Sequence, residues 1–287
     1  MNINWYPGHM KKTRELLQQQ LKLVDVVFEL LDARIPLSSK NPDIDAIVGT
    51  KPRVIILNKA DLANEQATNS WIKYFKSKGI TAIPVNTIHG EGLRQALNEG
   101  EAAFKDKLQA LLAKGRKERA LRVMVVGIPN VGKSSIINKL VGRKGAITGD
   151  RPGVTKGKQW LRVKGDLEIL DTPGILWPRF EDQEVAMKLA FTGAIKDEIM
   201  DIETLALRLI EYLYIHNRED LYKRYNLEGE FEEGVALMDQ IAKNRGSILR
   251  KDEIDYTRVA NIILDEFRAG KIGRISLETP QSLNLIE

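Results

Sequence analysis

The segment Gly127-Ile-Pro-Asn-Val-Gly132-Lys133-Ser134 does most to limit what this chain can fold into. Its spacing, GxxxxGK[ST], works only between a strand and a helix. Both are present: Leu121–Val126 is an apolar, β-branched run, and Ser135–Val141 has helical spacing. In that setting the N–H groups of the loop and of the helix N-terminus point at phosphate oxygens. The expected phosphate contacts are Asn130, Val131, Gly132, Lys133, Ser134 and Ser135. Lys133 is the catalytic cation reaching the β- and γ-phosphates, and the Ser134 hydroxyl is a Mg²⁺ ligand.

A strand–loop–helix unit implies an α/β fold, and the rest of the first 175 residues agree. Apolar runs at Val24–Leu31, Val54–Leu57, Ala82–Val85, Arg122–Val126 and Leu167–Leu170 read as buried strands. Helical spacing occupies Ala67–Lys78, Leu93–Leu112 and Ser135–Val141 between them. This rhythm predicts a mostly parallel sheet with helices on both faces. Gly165-Asp166, between Gln159–Lys164 and Leu167–Leu170, reads as a hairpin turn. After Asp171 the rhythm stops, and Glu181-Asp182 can cap a new helix. Two apolar stripes follow, Ile202/Leu205/Leu209/Ile210/Leu213 and Val259/Ile262/Ile263/Phe267. The expected organisation is a P-loop nucleotide-binding domain over 1–180 and a smaller all-helical domain over 181–287.

Four further pieces complete the chemistry. Asn58-Lys59-Ala60-Asp61 follows the second strand. The Asp61 carboxylate can accept from guanine N1–H and the 2-amino group; adenine offers neither donor and would leave a buried acceptor unpaired. Asn58 can bond the other edge of the base, and the Lys59 stem can cover its face. Asn86-Thr87 follows the third strand, where a loop should close over the base; an ordinary Asn-initiated turn is the other reading. Asp171-Thr-Pro-Gly174 ends a strand expected beside the phosphate loop, so that Asp171 would hold Mg²⁺ and the Gly174 N–H would meet the γ-phosphate. Thr155 lies between these motifs, where a threonine completes Mg²⁺ coordination, or belongs to a plain loop. The ligand implied is GTP or GDP.

The order of the pieces is unusual. Most GTPases run phosphate loop, switch threonine, DxxG, NKxD, base loop. Here NKAD and Asn-Thr come first, so the domain is circularly permuted, with Lys105–Arg122 joining the usual ends. The permuted order, Trp5-Tyr-Pro-Gly-His-Met10, Asp32-Ala-Arg34-Ile-Pro and the phosphate loop together resemble the YlqF/RbgA family of ribosome biogenesis GTPases. The resemblance spans essentially the whole chain. It implies a factor for late assembly of the bacterial large (50S) ribosomal subunit, with a helical domain similar to RNA-binding antiterminator modules. Permuted GTPases of the small subunit carry an N-terminal β-barrel or a cysteine zinc knuckle; this chain has no cysteine and about 20 residues before its first strand.

Composition narrows the alternatives. Without cysteine, disulfides and Cys-ligated metal are excluded, and three histidines are too few for a convincing transition-metal site. No apolar run approaches a membrane span of roughly 20 residues, and no secretory leader is evident, so a cytoplasmic protein is expected; a monomer is the expected state. The net charge of +5 is uneven: residues 201–287 hold 12 Lys/Arg against 17 Asp/Glu, and the remainder carries the positive excess. A polyanionic partner on the basic side fits this asymmetry, with Arg250, Lys251, Arg258 and Lys271 as candidate RNA contacts in the helical domain. Ile175 stands where many regulatory GTPases place the water-orienting glutamine. His9 either positions the water in its stead or belongs to a partner-binding N-terminal segment. Asn130 is also the expected K⁺ ligand, since GTPases of similar sequence use an asparagine there. A regulatory switch acting on a protein effector without RNA is the reading from another class.

Overall fold

The computed structural model describes residues 10–113, 119–142, 159–163, 167–171 and 182–285. The chain divides into two compact units: Trp5–Arg179 with Ser276–Glu287, and Phe180–Ile275 with Met1–Asn4.

The larger unit is built on one sheet. Among the described residues its strands are β1 (Val26–Asp32), β2 (Arg53–Asn58), β3 (Thr81–Val85), β4 (Leu121–Gly127), β5 (Gln159–Val163) and β6 (Leu167–Asp171). They lie in the order β3-β2-β1-β4-β6-β5. Every neighbouring pair is parallel except β5 and β6. That last pair is the expected hairpin, with Val163 opposite Leu167. β1, at the centre, is buried at every position. A strand sandwiched between helical layers has no solvent face, so it reads as a continuous apolar run.

The helices of this unit are α1 (Met10–Leu21), α2 (Ile44–Val48), α3 (Glu65–Ser77), α4 (Leu93–Ala113) and α5 (Lys133–Val141). Leu17 and Leu21 of α1 pack with Val27, Met124 and Leu170. Trp71 and Phe75 of α3 pack with Leu31, Ile55 and Leu57. On the other face α4 comes so close to β1 that a Cβ at Gly100 would lie 2.8 Å from Phe28. The region expected to join the usual ends is α4, which runs to Ala113, followed by β4; residues 114–118 lie outside the described residues.

The second unit contains α6 (Gln183–Phe191), α7 (Ile202–His216), α8 (Arg218–Tyr225), α9 (Gly234–Asn244) and α10 (Tyr256–Arg268). Aspartates start three of them: Asp182, Asp201 and Asp255 accept from the N–H groups of Glu184, Thr204 and Arg258. Such caps satisfy donors that the first helical turn leaves open. Leu205, Leu209, Ile210 and Leu213 of α7 are buried, as are Val259, Ile263 and Phe267 of α10. Ile202 and Ile262 border these stripes half-buried.

The C-terminal segment departs from the organisation expected over 181–287. Ser276–Glu287 belongs with the sheet unit. The Leu277 N–H donates to the Arg34 carbonyl at 2.9 Å, and Trp71 Nε1 donates to the Glu278 carbonyl at 3.2 Å. Leu283 and Leu285 pack beside the Trp71 cluster. Leu283 and Leu285, beyond the last helix, thus pack half-buried against the cluster that holds Trp71 and Phe75 of α3, a destination that helical periodicity cannot disclose.

Candidate functional site

Parallel strands bring their C-terminal ends to one edge of a sheet, and ligands of open α/β sheets bind there. Asp32 ends β1, Asn58 ends β2, Val85 precedes Asn86 at the end of β3, and Gly127 ends β4. Asp171, the last residue of β6, reaches the same edge beside β4. Motifs far apart in sequence therefore converge.

Asn58 Nδ2 donates to the Val131 carbonyl of the phosphate loop at 2.7 Å. Thr87 Oγ1 donates to Asn58 Oδ1 at 2.6 Å. The buried Asn58 amide is thereby fixed at both ends, joining base motif, base loop and phosphate loop. Gly132 makes this possible: a Cβ there would lie 2.3 Å from Asn58 Nδ2, and its φ of +102° disfavours any side chain. Asn86 turns inward, its Oδ1 accepting from the N–H groups of Ile88 and His89. It shapes the loop as an Asn-initiated turn does, while Thr87 is the residue that braces the motif. Lys139 of α5 donates to the Ile88 carbonyl at 3.0 Å, tying the same loop to the helix behind the phosphates.

The phosphate loop ends at α5, whose first residue is Lys133. Lys133 Nζ donates to the carbonyls of Gly127 and Ile128, at 3.0 and 2.6 Å, so the ammonium is folded over the loop's own backbone. Ser134 and Ser135 follow in the first turn. Asn130 holds a left-handed φ of 56° and Lys59 one of 60°. Asp61 is half-buried.

Lys59 Nζ pairs with Asp32 Oδ2 at 3.0 Å. The same carboxylate receives Arg34 Nε at 2.9 Å and Arg34 Nη2 at 2.7 Å. Burial would raise the Asp32 carboxyl, but Arg34 and Lys59 hold it well below the usual carboxylate range. Sequence reasoning quoted Asp32 and Arg34 only as part of a resemblance. The signal was there: an acidic and a basic residue at the end of a largely apolar strand must find partners if they are buried.

A family described as 50S ribosome-binding GTPase matches residues 122–226. The protein named ribosome biogenesis GTPase A from Bacillus cereus is 49% identical over 281 residues, covering 98% of this chain and 95% of its own length. The protein of that name from Thermotoga maritima is 32% identical over 285 residues, covering 99% and 97%. The solved GDP-bound structure of T. maritima YlqF aligns with a TM-score of 0.65 at 30% identity, over 93% of this chain and 99% of that one. The chain belongs to the ribosome biogenesis GTPase A family.

As a member of this family of GTPases, it has the permuted order resolved in its sheet. Reading the strands as β4, β5, β6, β1, β2, β3 restores the common order of phosphate loop first and base motif later. His9, Thr155, Gly174 and Ile175 lie outside the described residues, and of Asp171 only the strand position is described. His89 and His216 are exposed, the latter against Tyr212 at 4.4 Å between ring centroids. The four candidate RNA contacts do not share one place. Arg258 is in the first turn of α10 and Lys271 lies beyond its end. About 15 Å of helix, from Arg258 to Arg268 at 1.5 Å per residue, separates the two.

Proposed function

We propose that this GTPase acts in late maturation of the bacterial large (50S) ribosomal subunit, and that the particle stimulates its hydrolysis of GTP. The observation that carries the base and phosphate assignment is the 2.7 Å bond from Asn58 to Val131, which closes a guanine motif onto a phosphate loop 73 residues away. The names of the matched relatives support the ribosomal role.

In this reading Asp61 selects guanine, with Asn58, Lys59, Ala60, Asn86 and Thr87 forming its pocket. Val131, Gly132, Lys133, Ser134 and Ser135 present N–H groups to the phosphates. A serine hydroxyl at the start of α5 is a hard oxygen donor suited to Mg²⁺. Ser134 would hold the ion together with Thr155 and Asp171, and the ion would neutralise charge on the β- and γ-phosphates. Asn130 would offer its oxygen to K⁺. Gly174 would meet the γ-phosphate, and His9 would position the attacking water where Ile175 cannot. Arg250, Lys251 and Arg258, at one end of α10, are the RNA contacts we favour in the helical unit. The protein works as a cytoplasmic monomer; no helix among the described residues is long and apolar enough to cross a membrane.

The test is sedimentation of the protein with mature and immature large subunits, in GDP and in a non-hydrolysable GTP analogue. Preferential binding with the analogue, and faster hydrolysis on the particle, are expected. Neither effect would leave a protein-effector switch as the better account.

A further inference from the structure

Glu278 is almost fully buried, at 2% exposure, yet it belongs to no nucleotide motif and lies 240 residues from its main partners. Its Oε1 accepts from the Leu37 N–H at 2.5 Å and the Ser38 N–H at 3.0 Å. Its Oε2 accepts from Ser38 Oγ at 2.6 Å. A buried carboxylate has to be compensated by donors, and Leu37 and Ser38, in the loop 34–39, supply three of them.

That loop is also what holds Asp32. Ser39 Oγ accepts from the Asp32 N–H at 3.0 Å, and Arg34 grips the Asp32 carboxylate through Nε and Nη2. Asp32 in turn holds Lys59. A continuous line of hydrogen bonds and ion pairs therefore runs from Glu278 through the loop and Asp32 to the lysine of the base motif. A second line is shorter. Asn64, which caps α3 just after that motif, donates its N–H to Ser276 Oγ at 3.1 Å. Ala60 of the motif packs, half-buried, against the same apolar cluster as Leu283 and Leu285.

We infer that the segment Ser276–Leu285 is a working part of the guanine site, and that Glu278 and Asp32 are positioning residues that set the placement of Lys59 against the base. The inference rests on the assignment of Asn58–Asp61 to guanine and adds residues that no motif contains. Its chemistry is geometric. Lys59 sits at a left-handed φ, a conformation that a lysine holds only where its surroundings impose it. Removing Glu278's oxygens leaves buried donors in the loop unpaired. The loop then relaxes, Asp32 loses its fixed orientation, and the lysine is no longer pre-organised for the base. The effect belongs to binding of guanine nucleotide in ground state and transition state alike, so it enters KM and Kd rather than kcat.

The experiment uses the full-length protein with Glu278→Ala, Glu278→Gln and Asp32→Asn, read by binding of a fluorescent GDP and by steady-state hydrolysis of GTP. Glu278→Ala and Asp32→Asn should raise Kd for GDP and KM for GTP by about tenfold, the scale of one lost buried hydrogen-bond partner, with kcat within about twofold. Glu278→Gln keeps an acceptor for the Leu37 and Ser38 N–H groups and should recover most of the affinity. In the wild-type protein, GDP should slow hydrogen exchange at the Leu277 amide, a readout that needs no variant to fold. Lowered thermal stability with unchanged Kd and KM, or an amide at Leu277 indifferent to GDP, would overturn the inference. A parallel Asp61→Asn arm separates the two assignments: if it fails to move preference towards xanthosine nucleotides, the base site itself is wrong and the inference goes with it.

Discussion

In the proposed site Asp61 would select guanine because a carboxylate has acceptors only. Its partners N1–H and N2–H exist on guanine and not on adenine, so an adenine nucleotide leaves the acceptor desolvated and unpaired. Affinity for ATP is therefore expected to fall short of that for GTP by at least ~10³, the scale for a site built around one such pair. Competition binding decides this, and equal affinities would remove the guanine assignment. A second acid in the same unit does the opposite of binding. Glu29, in the middle of β1, is buried against Arg53, whose Nη1 lies 3.1 Å away; Arg53 also pairs with Asp45, and Asp45 with Lys40. Burial pushes its carboxyl up to about 7, with Arg53 and Lys40 offsetting part of that and Asp45 adding to it. The folded chain thus holds this proton longer than the unfolded chain does. Stability from this group is complete below the unfolded value of 4.5 and is lost as pH rises to about 7. Glu29→Gln should flatten that fall and leave the variant more stable at pH 8 by as much as about 3 kcal/mol, the worth of the shift at 1.36 kcal/mol per unit. Urea unfolding at pH 5 and pH 8 measures it, and parallel pH dependences in the two proteins would rule the effect out.

At the scale of elements, what could be read from the sequence was whatever is local. Strands β2, β3, β4 and β6 announce themselves as short β-branched runs, and α7 and α10 as apolar stripes at helical spacing. The phosphate loop and the base motif are legible because their chemistry demands fixed residues at fixed spacing. α1 was not anticipated, since its sequence, MKKTRELLQQQL, carries few apolar side chains and earns its place through Leu17 and Leu21 packing on the sheet. The link from Asp32 and Arg34 to Glu278 was illegible for a different reason: its ends are joined only by the fold. The phosphate loop itself carries the next expectation. Asn130 holds a left-handed backbone, so replacement by alanine would mix strain with loss of the side-chain oxygen. Asn130→Gly keeps the conformation and removes the oxygen alone. Hydrolysis by the wild type should be faster in K⁺ than in Na⁺ at equal ionic strength, because a cation beside the phosphates offsets transition-state charge as an arginine finger does. The glycine variant should show the same rate in both salts. A wild type indifferent to the cation, or a variant that keeps the difference, would exclude Asn130 as the ligand.

At the scale of the whole molecule, the chain passes between the two units after Asn4, after Arg179 and after Ile275. The sheet unit hands the chain to the helical unit after Arg179, just beyond the DxxG motif, and receives it back at Ser276, beside the base motif. In sequence the second of these crossings follows the DxxG motif, and the third leads into Ser276, whose hydroxyl accepts from the Asn64 N–H just after the base motif. A partner that binds differently to the GTP and GDP states must, by linkage, change the affinities for the two nucleotides by the same factor. The large ribosomal subunit is expected to be that partner. If it binds the GTP-analogue form tenfold more tightly than the GDP form, the analogue must bind tenfold more tightly relative to GDP when the particle is present. Measuring both sides of this cycle tests the coupling without any assumption about path, and a cycle in which the particle leaves the nucleotide ratio unchanged would refute it. The same complex should weaken steeply between about 50 and 200 mM salt if Arg250, Lys251 and Arg258 neutralise RNA phosphates, since each released counterion adds to the slope. Removing one of these side chains should lower the slope by about one unit, whereas removing Lys271, beyond the far end of α10, should leave it as it is.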